Sequence, residues 1–248
     1  MGVGMSQMEQ RTSVSTTAVP RERAPYLPRA VSELGFWSAI LTGILSAAWA
    51  VFFGLQNAVS PIPQLGGAAA YVREFERIHM LNLYPSILLP VPFIILMASI
   101  YIYASEDKKI WGVIAVAMSV LYGTMASINY YIQLVSVQQS LLAGESAGLD
   151  LFVQSNPRAI FAALANSYVY NSLAMCFAAP IFQGGGLERG LRWIFSSMGA
   201  VALIQVAYAL LELPLLVAAP AGIAWAIGVP VACGLLAILF RRAEALRA

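Results

Sequence analysis

Six long apolar stretches dominate this sequence and limit what it can fold into. They cover residues 34–55, 81–104, 110–134, 158–182, 191–217 and 221–240. A helix of about 20 apolar residues crosses the ~30 Å hydrocarbon core of a bilayer. Because lipid offers no hydrogen-bond partners to the backbone, such stretches must be helical. The pattern predicts an all-α integral membrane protein, a bundle of six transmembrane helices that we call spans one to six.

The composition agrees with a membrane protein. Hydrophobic residues make up 60% of the chain and charged residues 10%, whereas soluble domains carry about 25% charged residues. The net charge of +2 is too small and too dispersed to indicate a nucleic-acid partner. The expected partners are the lipid bilayer and a small-molecule ligand, with a second copy or another membrane protein left open.

The regions outside the spans are polar and short. Residues 1–30, rich in Ser, Thr, Arg and Pro, predict a disordered cytoplasmic tail, and residues 241–248 form a basic tail. Residues 68–79 carry a helical apolar period, which favours an interfacial helix before span two. Three prolines inside span two predict an interrupted helix there.

Lysine and arginine indicate the orientation. Arg73, Arg77 and Arg158 lie on one side of the predicted membrane. The side that holds both termini carries all the others: Arg11, Arg21, Arg23, Arg29, Lys108, Lys109, Arg189, Arg192, Arg241, Arg242 and Arg247. Cytoplasmic loops are enriched in these residues, so we expect both termini in the cytoplasm. The expected location is a cell membrane, that of a prokaryotic cell.

With this orientation, polar side chains collect in the outer half of the membrane. They are Glu76, His79 and Asn82 at the start of span two, Asn129 and Gln133 in span three, Asn166, Tyr170 and, near mid-depth, Asn171 in span four, and Gln205, Tyr208 and Glu212 in span five. A charged side chain at membrane depth is costly and by default indicates a functional site. We therefore predict an outward-open polar cavity, lined by spans two to five, with Glu212 as its ionisable centre.

Two functional hypotheses follow from this polar set. In the first, the protein binds or transports a small solute, and Glu212 acts as charge or proton partner. In the second, the chain is a sensor or accessory subunit that transports nothing. Its polar residues would then join helices, since inter-helix hydrogen bonds in membranes contribute about 0.6 kcal/mol each. Gly43, Ala47, Ala50 and Gly54 of span one would then face a protein partner.

Two motifs of enzymes and metal sites occur, but their context does not fit. Residues 144–148 read G-E-S-A-G, as in the nucleophile elbow of serine hydrolases. That elbow needs a strand before it and a histidine after it, and no histidine follows here. Glu76 and His79 have the spacing of a helical metal-binding pair, but His79 is the only histidine of the chain. We therefore expect no catalytic site, no cofactor and no metal.

Overall fold

The computed structural model describes residues 27–62, 67–154, 156, 159–211, 213 and 215–245. Over these residues it contains helices and turns but no strand, which confirms the all-α prediction for this part of the chain. The α-helices are α1 Arg29–Val59, α2 Gly67–Arg73, α3 Leu83–Leu88, α4 Pro90–Tyr103, α5 Lys109–Tyr131, α6 Gln138–Leu142, α7 Ile160–Ala165, α8 Tyr168–Ala178, α9 Gly186–Leu210, α10 Leu215–Ile223 and α11 Val229–Ala245.

Six helical stretches of the described residues are long and apolar enough to cross a membrane, as predicted. They are Arg29–Val59, Arg77–Tyr103, Glu106–Leu142, Ile160–Ile181, Gly186–Leu210 and Ala219–Ala245, and they form spans one to six in that order. The predicted N-terminal tail lies outside the described residues as far as residue 26, and α1 already begins at Arg29. At the other end, α11 continues through the basic residues to Ala245.

The six spans form a closed ring in chain order. Each span packs against the next one along the chain, and α1 of span one packs against α11 of span six. Neighbouring spans run antiparallel. Gly35, near the start of span one, contacts Phe240, near the end of span six. Gly43, later in span one, contacts Cys233, earlier in span six. We call the end of the ring at which spans one, three and five finish the predicted outer end.

Small residues allow two of these contacts. A Cβ atom on Gly112 of span three would lie 3.0 Å from the Tyr101 Cα of span two. A Cβ on Gly35 would lie 2.6 Å from the ring of Phe240. Small residues let membrane helices approach this closely. Such close packing matters because lipid tails are as apolar as the helices, so there is no hydrophobic driving force for helix association.

Three irregular segments shape the predicted outer end. In span two, Pro90 and Pro92 remove two backbone donors next to Leu89, at the boundary between α3 and α4, although the Leu89 backbone itself stays helical with φ −59° and ψ −38°. Spans three and six each contain a π-helical segment, Ile132–Val137 and Ala224–Gly228. Such segments insert an extra residue into the helix and are frequent at functional sites. All three segments lie in the half of the ring that the sequence makes polar.

The predicted helix over residues 68–79 is only partly present. Helix α2 ends at Arg73, and a separate 3₁₀ turn covers Arg77–Met80. Glu76 between them has an extended backbone, with φ −124° and ψ 147°. In the sequence, the apolar period runs across this break. Phe75 and His79 both pack against Tyr71 and so occupy the positions of one helix face, although the chain between them is not helical.

Candidate solute site at the predicted outer end

A cavity of about 200 Å³ lies among spans one, four, five and six, towards the predicted outer end. Its lining combines aromatic and carboxamide side chains with two small residues: Trp49, Asn166, Tyr168, Gln205, Tyr208, Ala221, Gly222 and Trp225. Small-molecule sites are typically concave and apolar, with a few polar groups that fix the orientation of the ligand. This lining has that composition.

Aromatic rings from three spans form one wall of the cavity. Tyr168 of span four meets Trp225 of span six edge to face, with ring centroids 4.8 Å apart. On its other side Tyr168 lies 6.2 Å from Trp49 of span one. Trp225 belongs to the π-helical segment of span six. Rings held against each other in this way give a ligand flat, electron-rich faces.

The polar groups of the cavity come from spans four and five. Asn166 directly follows α7, at the turn that separates α7 from α8. Gln205 and Tyr208 lie three residues apart on one side of α9, and Gln205 Oε1 accepts a 3.5 Å hydrogen bond from Ser172 Oγ. None of the described lining residues is charged. The site can therefore stack against a ligand and hydrogen-bond to it, without a formal charge from these side chains.

The structure brings together only part of the predicted site. Asn166, Gln205 and Tyr208 line the cavity. The cavity lies among spans one, four, five and six, whereas the sequence predicted one lined by spans two to five. Tyrosine rings occupy the space between spans two, three and four: the Tyr122 ring packs 5.6 Å from Phe93 and 5.6 Å from Tyr168.

Glu212, the predicted centre of the site, lies outside the described residues. The helix that precedes it, α9, ends at Leu210, before the predicted end of span five at residue 217. The position of Pro214 agrees with this end, because a proline has no N–H to bond the carbonyl of the residue four positions before it, here Leu210. Helical spacing therefore places Gln205 and Tyr208 together but cannot be extended to Glu212.

The remaining predicted residues lie elsewhere in the bundle. Asn129, Gln133 and Asn171 are each 1% exposed and lie in spans three and four, outside the cavity lining. Tyr170 is half-buried and does not line the cavity either. Asn82, which is 7% exposed, precedes α3 at the start of span two.

His79 is fully buried beneath the connection between spans one and two. Its Nδ1 accepts a 3.3 Å hydrogen bond from the Glu76 backbone N–H, and its Nε2 lies 3.0 Å from Ser60 Oγ. Nδ1 as acceptor implies a neutral ring that donates from Nε2 to Ser60. The ring stacks on Tyr71, whose hydroxyl pKa is raised by burial. The Glu76 side chain is exposed, and neither Glu76 nor His79 lines the cavity.

The opposite end of the ring is held by direct contacts between spans. Tyr103 Oη of span two donates a 2.8 Å hydrogen bond to Glu188 Oε1 of span five. Phe182 and Phe195 pack edge to face at 5.2 Å. In the predicted outer half, side chains of four spans instead surround a cavity.

Sequence reasoning missed the aromatic wall. Trp49, Tyr168 and Trp225 lie in the outer halves of spans one, four and six, and this common depth was the signal that could have found them. The predicted polar set contained Tyr170 and Tyr208 but no tryptophan, although the indole N–H of tryptophan is also a hydrogen-bond donor.

The surroundings of the two motifs can be described where the structure covers them. Residues 144–148 form a turn in which Gly144 and Gly148 adopt positive φ, and no described strand precedes it. No group of three or more His, Cys, Asp or Glu side chains that could hold a metal occurs among the described residues. Comparison of the chain with family models, with curated proteins and with solved structures finds no match.

Proposed function

We propose that this multi-pass membrane protein binds a small solute in the cavity at its predicted outer end and carries it towards the other side. The observation that supports this most is the convergence of two tryptophans, two tyrosines and two carboxamides from four separate spans on one cavity of about 200 Å³. Residues that only joined helices would fill the space between them.

The chemistry of the lining indicates the kind of solute. Trp49, Tyr168 and Trp225 offer ring faces, which favour a flat or apolar surface or an organic cation. Asn166 and Gln205 offer donors and acceptors without charge. In this proposal Gln205 and Tyr208 orient the solute, and the direct contacts at the opposite end of the ring keep access one-sided.

The test is thermal melting of the purified protein in detergent with a panel of polyols, amides, heteroaromatic molecules and quaternary ammonium ions. A ligand at 100 times its Kd stabilises the folded protein by about 2.7 kcal/mol. We expect one chemical class to raise the melting temperature of the wild type. Gln205→Leu should lose that shift, whereas Gln139→Leu, at an exposed glutamine outside the cavity, should keep it.

A panel that shifts none of the melting curves would contradict the proposal. It would favour the alternative, in which the protein is a sensor or an accessory subunit and its polar residues join helices. One feature of span one bears on that alternative. Gly43 packs against Cys233 inside the ring, whereas a Cβ on Gly54 would meet nothing within 4 Å. The small-residue face is therefore divided between span six and the outside of the bundle.

A further inference from the structure

A group of buried polar side chains lies between spans three and four, beside the cavity but outside its lining. We call it the polar seam, and its members are Tyr122, Asn129, Gln133, Ser167 and Asn171. None of them is more than 1% exposed. Each carries a polar atom without a hydrogen-bond partner among the described residues, namely Tyr122 Oη, Asn129 Nδ2, Gln133 Oε1, Ser167 Oγ and Asn171 Oδ1.

The members of the polar seam lie on the buried faces of spans three and four, and the Gln133 amide N–H donates a 2.7 Å hydrogen bond to the Phe152 carbonyl of the connection between these spans. Span three packs against spans two and four, so its buried face, which carries Asn129 and Gln133 four residues apart, is turned towards them. Ser167 and Asn171 share one face of span four, and Asn171 lies beside the Tyr122 hydroxyl of span three but outside hydrogen-bonding geometry. The seam thus extends from the π-helical segment of span three, where Gln133 lies, down to Tyr122.

The unpartnered atoms define the chemistry that would complete them. Asn129 Nδ2 donates, Gln133 Oε1 and Asn171 Oδ1 accept, and the two hydroxyl groups do both. A metal cation would need acceptors alone and an anion would need donors alone. A mixed, uncharged set is complemented by a small neutral molecule that both donates and accepts hydrogen bonds. Buried polar groups in native proteins are almost always paired, if necessary through water.

Tyr168 separates the polar seam from the cavity. Its ring lines the cavity and lies 5.6 Å from the ring of Tyr122. Its hydroxyl is 2.7 Å from the Tyr130 hydroxyl, next to Ser86 of span two. Tyr168 is therefore in contact with both the cavity and the polar seam.

We propose that the polar seam is a second binding site, for a small uncharged molecule with the hydrogen-bonding character of an amide or a polyol, entered from the cavity past Tyr168. Such a molecule would displace water from the seam and would lie deeper in the bundle than one in the cavity. The route through the cavity rests on the proposed function, whereas occupancy of the seam does not.

Alkylation of introduced cysteines by iodoacetamide, itself a small uncharged amide, tests the site. The background is the full chain with Cys176→Ala and Cys233→Ala, which removes both native thiols. Asn129→Cys is paired with Ile128→Cys, whose position is 49% exposed on the outside of the ring. A thiol against lipid stays protonated and unreactive, so we expect Asn129→Cys to react about tenfold faster or more.

A second pair of variants makes the same comparison of alkylation rates deeper in the bundle than Asn129. It compares Asn171→Cys with Leu121→Cys, a position 45% exposed on the outside of the ring. Adding Tyr168→Ala should accelerate both seam reactions by removing the wall towards the cavity. Equal, slow reaction of the seam thiols and their outer controls would overturn the proposal. A solute panel that fails to shift melting while the seam thiols react would instead overturn only the cavity.

Radiolytic labelling of the wild type covers the case in which a cysteine variant does not fold. Hydroxyl radicals formed from bound water should oxidise Tyr122, which is 0% exposed, faster than the equally buried Phe182 at the opposite end. Labelling of Tyr122 without alkylation of any folded seam variant would restrict the seam to water and overturn the solute site. Absence of both reactions would overturn the seam as a whole.

Discussion

Tyr168 of span four contacts side chains of three other spans, two of which are not its neighbours in the chain. Its ring packs against Trp49, Tyr122 and Trp225, which belong to spans one, three and six. Its hydroxyl is 2.7 Å from Tyr130 Oη. In a membrane, where lipid tails compete equally for apolar contacts, such specific packing and hydrogen bonding supply much of the association between helices.

Removing this hydroxyl should destabilise the bundle. Tyr168→Phe keeps the ring but leaves the buried Tyr130 hydroxyl without this partner. We expect the free energy of unfolding to fall by about 1–3 kcal/mol, the cost of an unpaired buried polar group. Unfolding in mixed detergent micelles measures it, with Tyr131→Phe as the control because that side chain is 61% exposed.

The double variant Tyr130→Phe with Tyr168→Phe tests the cause. If the loss arises from the unpaired hydroxyl, the double variant should recover part of the stability, since both partners are then apolar. Additive losses would show that each hydroxyl acts through another contact.

At the residue scale, the sequence was informative for polar side chains at membrane depth. Asn166, Gln205 and Tyr208 were predicted to share a site and do line one cavity. Asn129 and Asn171 could not be assigned to the seam rather than the cavity, because depth alone does not say which neighbour a side chain faces.

At the scale of a helix, close contact depends on single glycines. A Cβ on Gly112 would lie 3.0 Å from the Tyr101 Cα, a backbone atom that cannot rotate away. We expect Gly112→Ala to lower the free energy of unfolding by about 1–3 kcal/mol, because spans two and three must separate. The matched control is Gly54→Ala, where a Cβ meets nothing within 4 Å.

That control should be neutral or slightly stabilising, since alanine favours a helix interior over glycine by about 0.5–1 kcal/mol. Both values come from the same unfolding experiment. Equal effects of the two substitutions would contradict the packing of spans two and three described above.

The helices were predicted more accurately than their ends and irregularities. Continuous apolar stretches are a strong signal, and all six have a counterpart among the described residues. The end of α9 at Leu210 was missed because apolar residues continue past it, although Pro214 was visible. The π-helical segments of spans three and six have no apolar period of their own and could not be foreseen.

At the scale of the whole molecule, the sequence predicted six spans but not their arrangement. Hydropathy fixes which residues are in the membrane, whereas the closed ring depends on contacts such as Gly35 with Phe240, which join the two ends of the chain. Spans one and six line the cavity because the ring is closed. Hydropathy does not reveal this closure, and the sequence therefore predicted a site lined by spans two to five.

The orientation of the ring remains a prediction from its charges. We expect Glu145→Cys, in the connection between spans three and four, to react with an impermeant thiol reagent in intact cells. Gly185→Cys, between spans four and five, should react only after the membrane is permeabilised. Both positions are exposed, so access to the reagent depends on the side of the membrane. The reverse pattern would place the cavity on the cytoplasmic side.

The central claim is that the cavity holds a solute, and filling it is the most direct test. Gly222 lines the cavity, and a Cβ there would meet nothing within 4 Å, so Gly222→Leu adds bulk without removing a contact. The measurement is the solute-dependent shift in melting temperature, compared with Gly54→Leu on the outside of span one. The account predicts an unshifted Gly222→Leu protein with an otherwise normal melt, beside a fully shifted Gly54→Leu protein. An equal shift in both variants would contradict it.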